Sequence, residues 1–158
     1  MDGFIFMLTL AAALGSGIVA GIFYGFSSFI MGALGKLPAR EGIAAMQSIN
    51  IVVINPVFFL AFFGTAALAL MLGGYAVANW GTAEAGLLFF GALFYLAGCI
   101  GVTIAFNVPL NNRLAAVEPA SPEGVELWQH YLVAWTRWNT VRTVAPSVSL
   151  VLFVLAMV

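Results

Sequence analysis

The chain has 158 residues, of which 63% are hydrophobic and 7% charged, with a formal net charge of −1. Soluble domains carry roughly 25% charged residues, so a soluble fold is excluded and an integral membrane protein of a few spans is expected. A single cysteine, Cys99, excludes an internal disulfide framework; with only one histidine beside it, a Cys/His metal cage within the chain is not expected either. No basic arm exists to engage nucleic acid.

Met1-Asp2-Gly3 lacks a basic leader and the apolar run continues past any cleavage point, which reads as a retained span. That run, Phe4 to Leu34, is about 30 residues long, more than the roughly 20 a bilayer crossing needs. Gly17, Gly21 and Gly25, with Ala13 in the same row, form a smooth groove for close helix packing. The same row offers a face for self-association into a homo-oligomer. Gly35 to Arg40 (GKLPAR) breaks the span. EGIAAMQSINIVVIN then reads as a short interfacial helix leading into span 2, with Asn55-Pro56 as cap and first turn.

Span 2 covers 56–78, and Asn79 to Glu84 is a turn with Trp80 suited to the headgroup region. Span 3, 85–107, is studded with small residues at Gly91, Ala97, Gly98 and Gly101. Asn107-Val108-Pro109-Leu110-Asn111-Asn112-Arg113 follows, and Pro109 is expected to end or kink the helix. Ser121-Pro122-Glu123 is a strong helix start. The fourth helix covers 122–158, with its membrane part from about 138, because the last 16 or so residues alone are too short to cross. Pro146 is expected to kink it. The fold expected is all-α: a single-domain, integral membrane four-helix bundle over 1–158, with a short interfacial helix between spans 1 and 2 and an extended cytoplasmic start to helix 4.

Lys36 and Arg40 lie between spans 1 and 2, and Arg113, Arg137 and Arg142 between or at spans 3 and 4. The turn at Trp80 has no basic residue. The positive-inside rule then puts both longer connections in the cytoplasm and both termini outside it, as in a bacterial inner membrane.

The densest chemistry lies in Trp128–Arg142, WQHYLVAWTRWNTVR, which holds three of four tryptophans and the only histidine. At helical spacing Trp128, Leu132, Trp135, Asn139 and Arg142 share a side, flanked by Tyr131 and Trp138. Because both long connections share an end, Lys36, Gln47, Asn50, Asn55, Asn107, Asn111, His130, Asn139 and Arg142 can converge there. Polar groups in hydrocarbon must pair or line a wet cavity. Amides with one arginine stabilise an oxyanion without a metal. Walls of Trp128, Trp135, Trp138, Phe58 and Phe106 suit a flat ring. In that reading His130, Asn139 and Arg142 are the candidate catalytic residues, His130 as base. Asn50, Asn55, Asn107, Asn111, Trp135 and Trp138 are the candidate ligand-binding residues. The plainer alternative makes Trp128 and Trp138 interfacial anchors, Asn50 and Asn55 helix caps, and His130 a surface residue. No phosphate loop, dinucleotide glycine fingerprint, zinc-protease motif or Ser/His/Asp arrangement is visible.

The segments AGIFYGFSSFIMGALGKLPAREGIAAMQSIN, INPVFFLAFFGTA, GVTIAFNVPLNNRLAAVEP and WTRWNTVRT resemble the anthrone-oxygenase-like family of small four-span membrane proteins. NVPLN and WNxxR are the most specific parts of the likeness. The resemblance puts weight on Asn50, Asn55, Pro56, Asn107, Pro109, Asn111, Trp135, Trp138, Asn139 and Arg142. Members often carry His after the asparagine of the last motif where this chain has Thr140, which leaves His130 as the substitute. The resemblance implies oxygenation of an anthrone to an anthraquinone with no bound cofactor, and a hydrophobic aromatic small molecule as partner alongside the lipid bilayer. Two other functions stay open: a non-catalytic lipid or small-molecule binder or packing protein, and, more weakly, a transporter that needs dimerisation.

Overall fold

A computed structural model describes residues 1–158 and contains helices and no strands. Four helices are long and apolar enough to cross a membrane: α1 (Gly3–Leu34), α3 (Pro56–Ala78), α4 (Ala85–Ala115) and α5 (Pro122–Leu155). A fifth, α2 (Ala39–Val52), lies between the first two. Each of three span starts is fixed by a local cap. Asp2 Oδ1 accepts from Ile5 N–H at 2.9 Å, Asn55 Oδ1 from Phe58 N–H at 3.0 Å, and Ser121 Oγ from Gly124 N–H at 3.0 Å. Pro56 and Pro122 occupy first-turn positions whose N–H groups have no helical partner anyway.

The bundle closes in the order α1, α3, α4, α5, with neighbours antiparallel. Small residues set the closest approaches. A methyl at Gly15 would collide with Thr65 of α3, and one at Gly98 with Ala145 of α5. A methyl at Gly91 would stand 2.8 Å from Phe153. Of the glycine row on α1, Gly17 meets Leu150 of α5 at van der Waals range, Gly25 meets only its own helix, and Gly21 meets nothing. The groove is therefore partly filled from within the chain.

One difference from the expected elements bears on the site. Pro109 does not end the third span: α4 runs on to Ala115. The turns before it, Phe94–Gly101 and Thr103–Asn107, are π-helical. A π turn hydrogen-bonds one residue further back, which widens the helix and admits a proline that an α turn would reject. Likewise α1 passes through a π-helical stretch at Phe26–Ile30. The fourth helix is continuous for 34 residues and carries Pro146 inside it. Pro146 cannot donate to the Arg142 carbonyl, so the helix backbone is open at the very turn that bears the arginine.

The apolar interior falls into two clusters. One joins Ile5, Phe23, Phe62, Leu72, Tyr95 and Phe153 at the end where the chain termini lie. The other joins Met31, Ile43, Met46, Leu114, Trp128 and Trp135 at the end bearing Lys36, Arg40 and Arg113. α3 packs along α4 as far as Gly101 and then parts from it, and α2 packs against α4 and α5 at the widened end.

If small side chains set the α4–α5 distance, Gly98→Val is expected to lower stability in detergent by about 1–3 kcal/mol through overpacking. Gly21→Val, with nothing beside it, should stay within about 0.5 kcal/mol of the parent protein. The midpoints of thermal unfolding in one detergent check both.

Candidate functional site

Where α3 and α4 separate, a cavity of about 270 Å³ sits at the seam of the two apolar clusters. Its walls are aromatic: Phe23 and Phe26 of α1, Phe58 and Phe62 of α3, and Trp135 of α5. Its polar members are Asn50, Thr103, Asn111 and Arg142. Binding sites for small molecules fall at about 300–1,000 Å³, so this chamber suits a compact ring system. Ile54, Phe59, Phe63 and Val108 line it and are themselves exposed, so one side opens toward the bundle's apolar surface.

Arg142 dominates the chamber. It is 6% exposed. Its Nη2 donates to Asn139 Oδ1 at 2.8 Å and its Nη1 to Thr103 Oγ1 at 3.2 Å. The guanidinium carbon lies 4.2 Å from the centroid of the Phe23 ring and 5.2 Å from that of Trp135, both cation–π range. Nε has no partner. No carboxylate is within ion-pairing distance: the one ion pair in the chain joins the Met1 α-amino group to Glu84, at the opposite end. Arginine is protonated at neutral pH. The chamber therefore contains one full positive charge with no counterion.

Asn139 stands behind Arg142 and does not line the cavity. Its Nδ2 donates to the Phe23 carbonyl at 2.7 Å and to Ser27 Oγ at 2.8 Å, which turns its oxygen toward Arg142. It orients the guanidinium; it is not placed to touch a ligand. Thr103 is held in turn, its hydroxyl donating to the Cys99 carbonyl at 2.8 Å. Asn111 Oδ1 accepts from Tyr131 O–H at 2.8 Å and from Trp135 Nε1–H at 2.7 Å. An indole nitrogen only donates, so the amide cannot be flipped and its NH₂ is free to face a ligand. Trp128, Tyr131 and Trp135 stack along α5 with centroids 5.7 and 6.0 Å apart, fixing the Trp135 ring. Gly42 of α2 is needed there, since a methyl would stand 2.8 Å from the Trp128 ring.

Of the residues picked out in the sequence, Arg142, Asn50, Asn111 and Trp135 line this chamber. Four others do not. His130 is exposed and lines an open groove with Arg113, Glu123 and Glu126. It points away because Trp128 and Tyr131 take the buried side of α5, so it cannot serve as base in the chamber. Asn55 is used up as the α3 cap, its Nδ2 turning back to the Val52 and Val53 carbonyls. Trp138 stacks on the Phe106 ring at 3.6 Å between centroids, outside the cavity. Asn107 is fully buried and ties α4 to α5 by donating to the Trp135 carbonyl at 3.2 Å, with its Oδ1 left unpartnered. Gln47 likewise braces the fold, donating to the Leu114 and Val117 carbonyls. Thr103, Ser27 and Phe23 are not singled out by the sequence, and Tyr131 appears there only as a flank of the Trp128–Arg142 side. A threonine four residues before Asn107 and eight before Asn111 was the available signal, since that row shares one helix face.

A family model described as anthrone oxygenase matches residues 58–152. The chain belongs to the anthrone oxygenase family. The match takes in Phe58, Thr103, Asn111, Trp135 and Arg142, so the chamber's α3, α4 and α5 walls all fall within it. No curated protein and no solved structure matches the chain.

Removing the support of Arg142 should be costly. Asn139→Leu leaves the buried guanidinium short of an acceptor, and bonds to charged groups are worth about 1.5–3 kcal/mol each. The expected outcome is a loss of that order in the free energy of unfolding measured in detergent, with Asn55→Ser, which keeps a capping oxygen, near the parent value.

Proposed function

We propose that this protein is a membrane-embedded oxygenase for flat phenolic or anthrone-like molecules, held against Phe23, Phe62 and Trp135 with an oxygen atom at Arg142. The observation that carries this reading is the buried, uncompensated guanidinium in an aromatic chamber of an anthrone oxygenase family member. A charge without a counterion in a low-dielectric site favours whichever state of a ligand is negative. An anthrone ionises at the methylene opposite its carbonyl, and the electron pair delocalises onto the carbonyl oxygen. In this reading Arg142 and the Asn111 NH₂ take that oxygen, while the ring walls hold the plane.

The chemistry then balances with dioxygen alone. The methylene carbon loses two hydrogens and gains one oxygen atom as a ketone; the second oxygen atom leaves as water. The substrate anion itself supplies the electrons, so no further reductant enters. Entry from the bilayer through the side bounded by Phe59, Phe63 and Val108 fits a lipid-soluble substrate. Lys36, Arg40, Arg113 and Arg137 lie at the chamber's end of the bundle, and by the positive-inside rule they support a chamber on the cytoplasmic side. One observation favours a binder that does no chemistry: no carboxylate or imidazole lines the chamber.

A non-oxidisable probe tests binding and electrostatics together. Bound 1,8-dihydroxyanthraquinone, whose colour reports phenol ionisation, should titrate about 1–3 pH units lower than in empty micelles, because an opposite charge nearby favours the ionised form. Arg142→Gln should abolish the difference. Oxygen uptake with anthrone separates the two readings: uptake dependent on Arg142 supports the oxygenase, and binding without uptake leaves only the binder.

A further inference from the structure

An oxygenase of this kind needs somewhere for the substrate's proton to go, and the chamber provides no acceptor. Arg142 is already protonated, and the remaining polar lining is Asn50, Thr103 and Asn111. The Thr103 hydroxyl is committed to the Cys99 carbonyl and the nearby Tyr131 hydroxyl to Asn111. Two regions border the chamber. One, past Phe59 and Phe63, is apolar and cannot carry an ion. The other is a separate groove of about 330 Å³ between α2 and the Val108–Ala115 end of α4. Half of its eight lining residues are amides: Gln47, Asn50, Asn111 and Asn112. Groove and chamber share Asn50, Ile54, Val108 and Asn111 in their walls, so the two cavities adjoin at these side chains, a waist with an amide from each helix.

We propose that water in this α2–α4 groove is the proton acceptor, and that the groove is the proton's exit from the site. The inference rests on the oxygenase reading above. In the step, a methylene C–H bond of the substrate breaks and the proton passes to a water oxygen held at the Asn50–Asn111 waist. The electron pair stays on the substrate as an enolate whose oxygen faces Arg142. The hydronium leaves along the groove water, repelled by the same guanidinium that retains the anion. Amides suit this role because they both donate to and accept from water without binding the proton themselves. The groove has no charged lining residue to trap it.

The test is anaerobic exchange of anthrone's methylene hydrogens in deuterated buffer, with the full chain in detergent. It reads proton transfer without oxidation. The wild-type protein should accelerate exchange and Arg142→Gln should not. Filling the groove with Asn112→Leu plus Ala115→Leu, neither of which lines the chamber, should slow exchange at least about tenfold, a small part of what acid–base catalysis commonly supplies. Affinity for 1,8-dihydroxyanthraquinone should stay within about twofold in that variant, and His130→Ala should exchange at the wild-type rate. Wild-type exchange in the filled-groove protein, or its loss in His130→Ala, overturns the route while leaving the oxygenase reading intact. If the wild-type protein binds the probe but gives no acceleration, the oxygenase reading and the route fall together. If the filled-groove protein no longer binds the probe, Asn112→Asp decides: a carboxylate in the groove should raise exchange at least about threefold, and no rise overturns the proposal.

Discussion

A single guanidinium held inside the bundle without a counterion sets the terms for everything around it. Burying an ion costs several kcal/mol even after relaxation. Against that stand hydrogen bonds to Asn139 and Thr103, at about 1.5–3 kcal/mol each, and two aromatic faces at about 0.5–2 kcal/mol each. The sums are comparable, so Arg142 is tolerable where it is and poorly tolerable anywhere else. This constraint reaches well beyond the arginine. Asn139 has to be anchored on Phe23 and Ser27 of α1, and Thr103 on the backbone of α4. The π-helical turns on α1 and α4 fall in the same layer, Phe26–Ile30 and Thr103–Asn107. Such turns shift side-chain direction within a continuous helix, which is how one helix can serve tight packing at one end and a cavity at the other.

The chamber itself follows from how side-chain size is distributed along the spans. Toward the chain termini, Gly15 meets Thr65, Gly91 meets Phe153 and Gly98 meets Ala145, so backbones approach closely and the interior is solid. Toward the basic end, Phe58, Phe59, Phe62 and Phe63 on α3 face a stretch of α4 that carries Thr103, Asn107 and Asn111. Bulky rings and polar groups cannot interdigitate as small residues do, and the helices part. α2 then covers what would be an open wedge, contributing Met46, Ile49 and Asn50 to its wall.

The spans and their caps were readable because they are local. Hydropathy over about 20 residues marks a crossing, and Asn55-Pro56 and Ser121-Pro122 announce helix starts within three residues. Asn111, Trp135 and Arg142 were readable as a group through motif spacing, though not the partners each would find. What escaped depends on contacts far apart in the chain. The direction of His130 is decided by Trp128 and Tyr131 filling the buried side of α5. Whether Pro109 breaks a helix depends on the π turn before it. Asn139 reads as chemically equal to Asn111, yet one supports the arginine from behind and the other lines the cavity. The hydrogen bonds of Asn139 to Phe23 and Ser27, more than a hundred positions away, and those that Asn111 accepts from Tyr131 and Trp135 separate their roles.

The choice of amides over acids in this layer is itself informative. Asn50, Asn107, Asn111 and Asn139 are each one atom from an aspartate, and an aspartate at Asn139 would bond the guanidinium more strongly. It would also cancel the charge. At about 4 Å and an effective dielectric near 20, a paired carboxylate contributes roughly 4 kcal/mol; that same attraction would then be lost to any anion arriving in the chamber. Amides orient the arginine while leaving its field open. The absence of a carboxylate is costly for the empty protein, and on the oxygenase reading proposed above it is what would favour a ligand that can become negative. A fold needing only stability would have had no reason to keep the arginine at all, since an apolar side chain of similar volume serves a bundle interior as well or better.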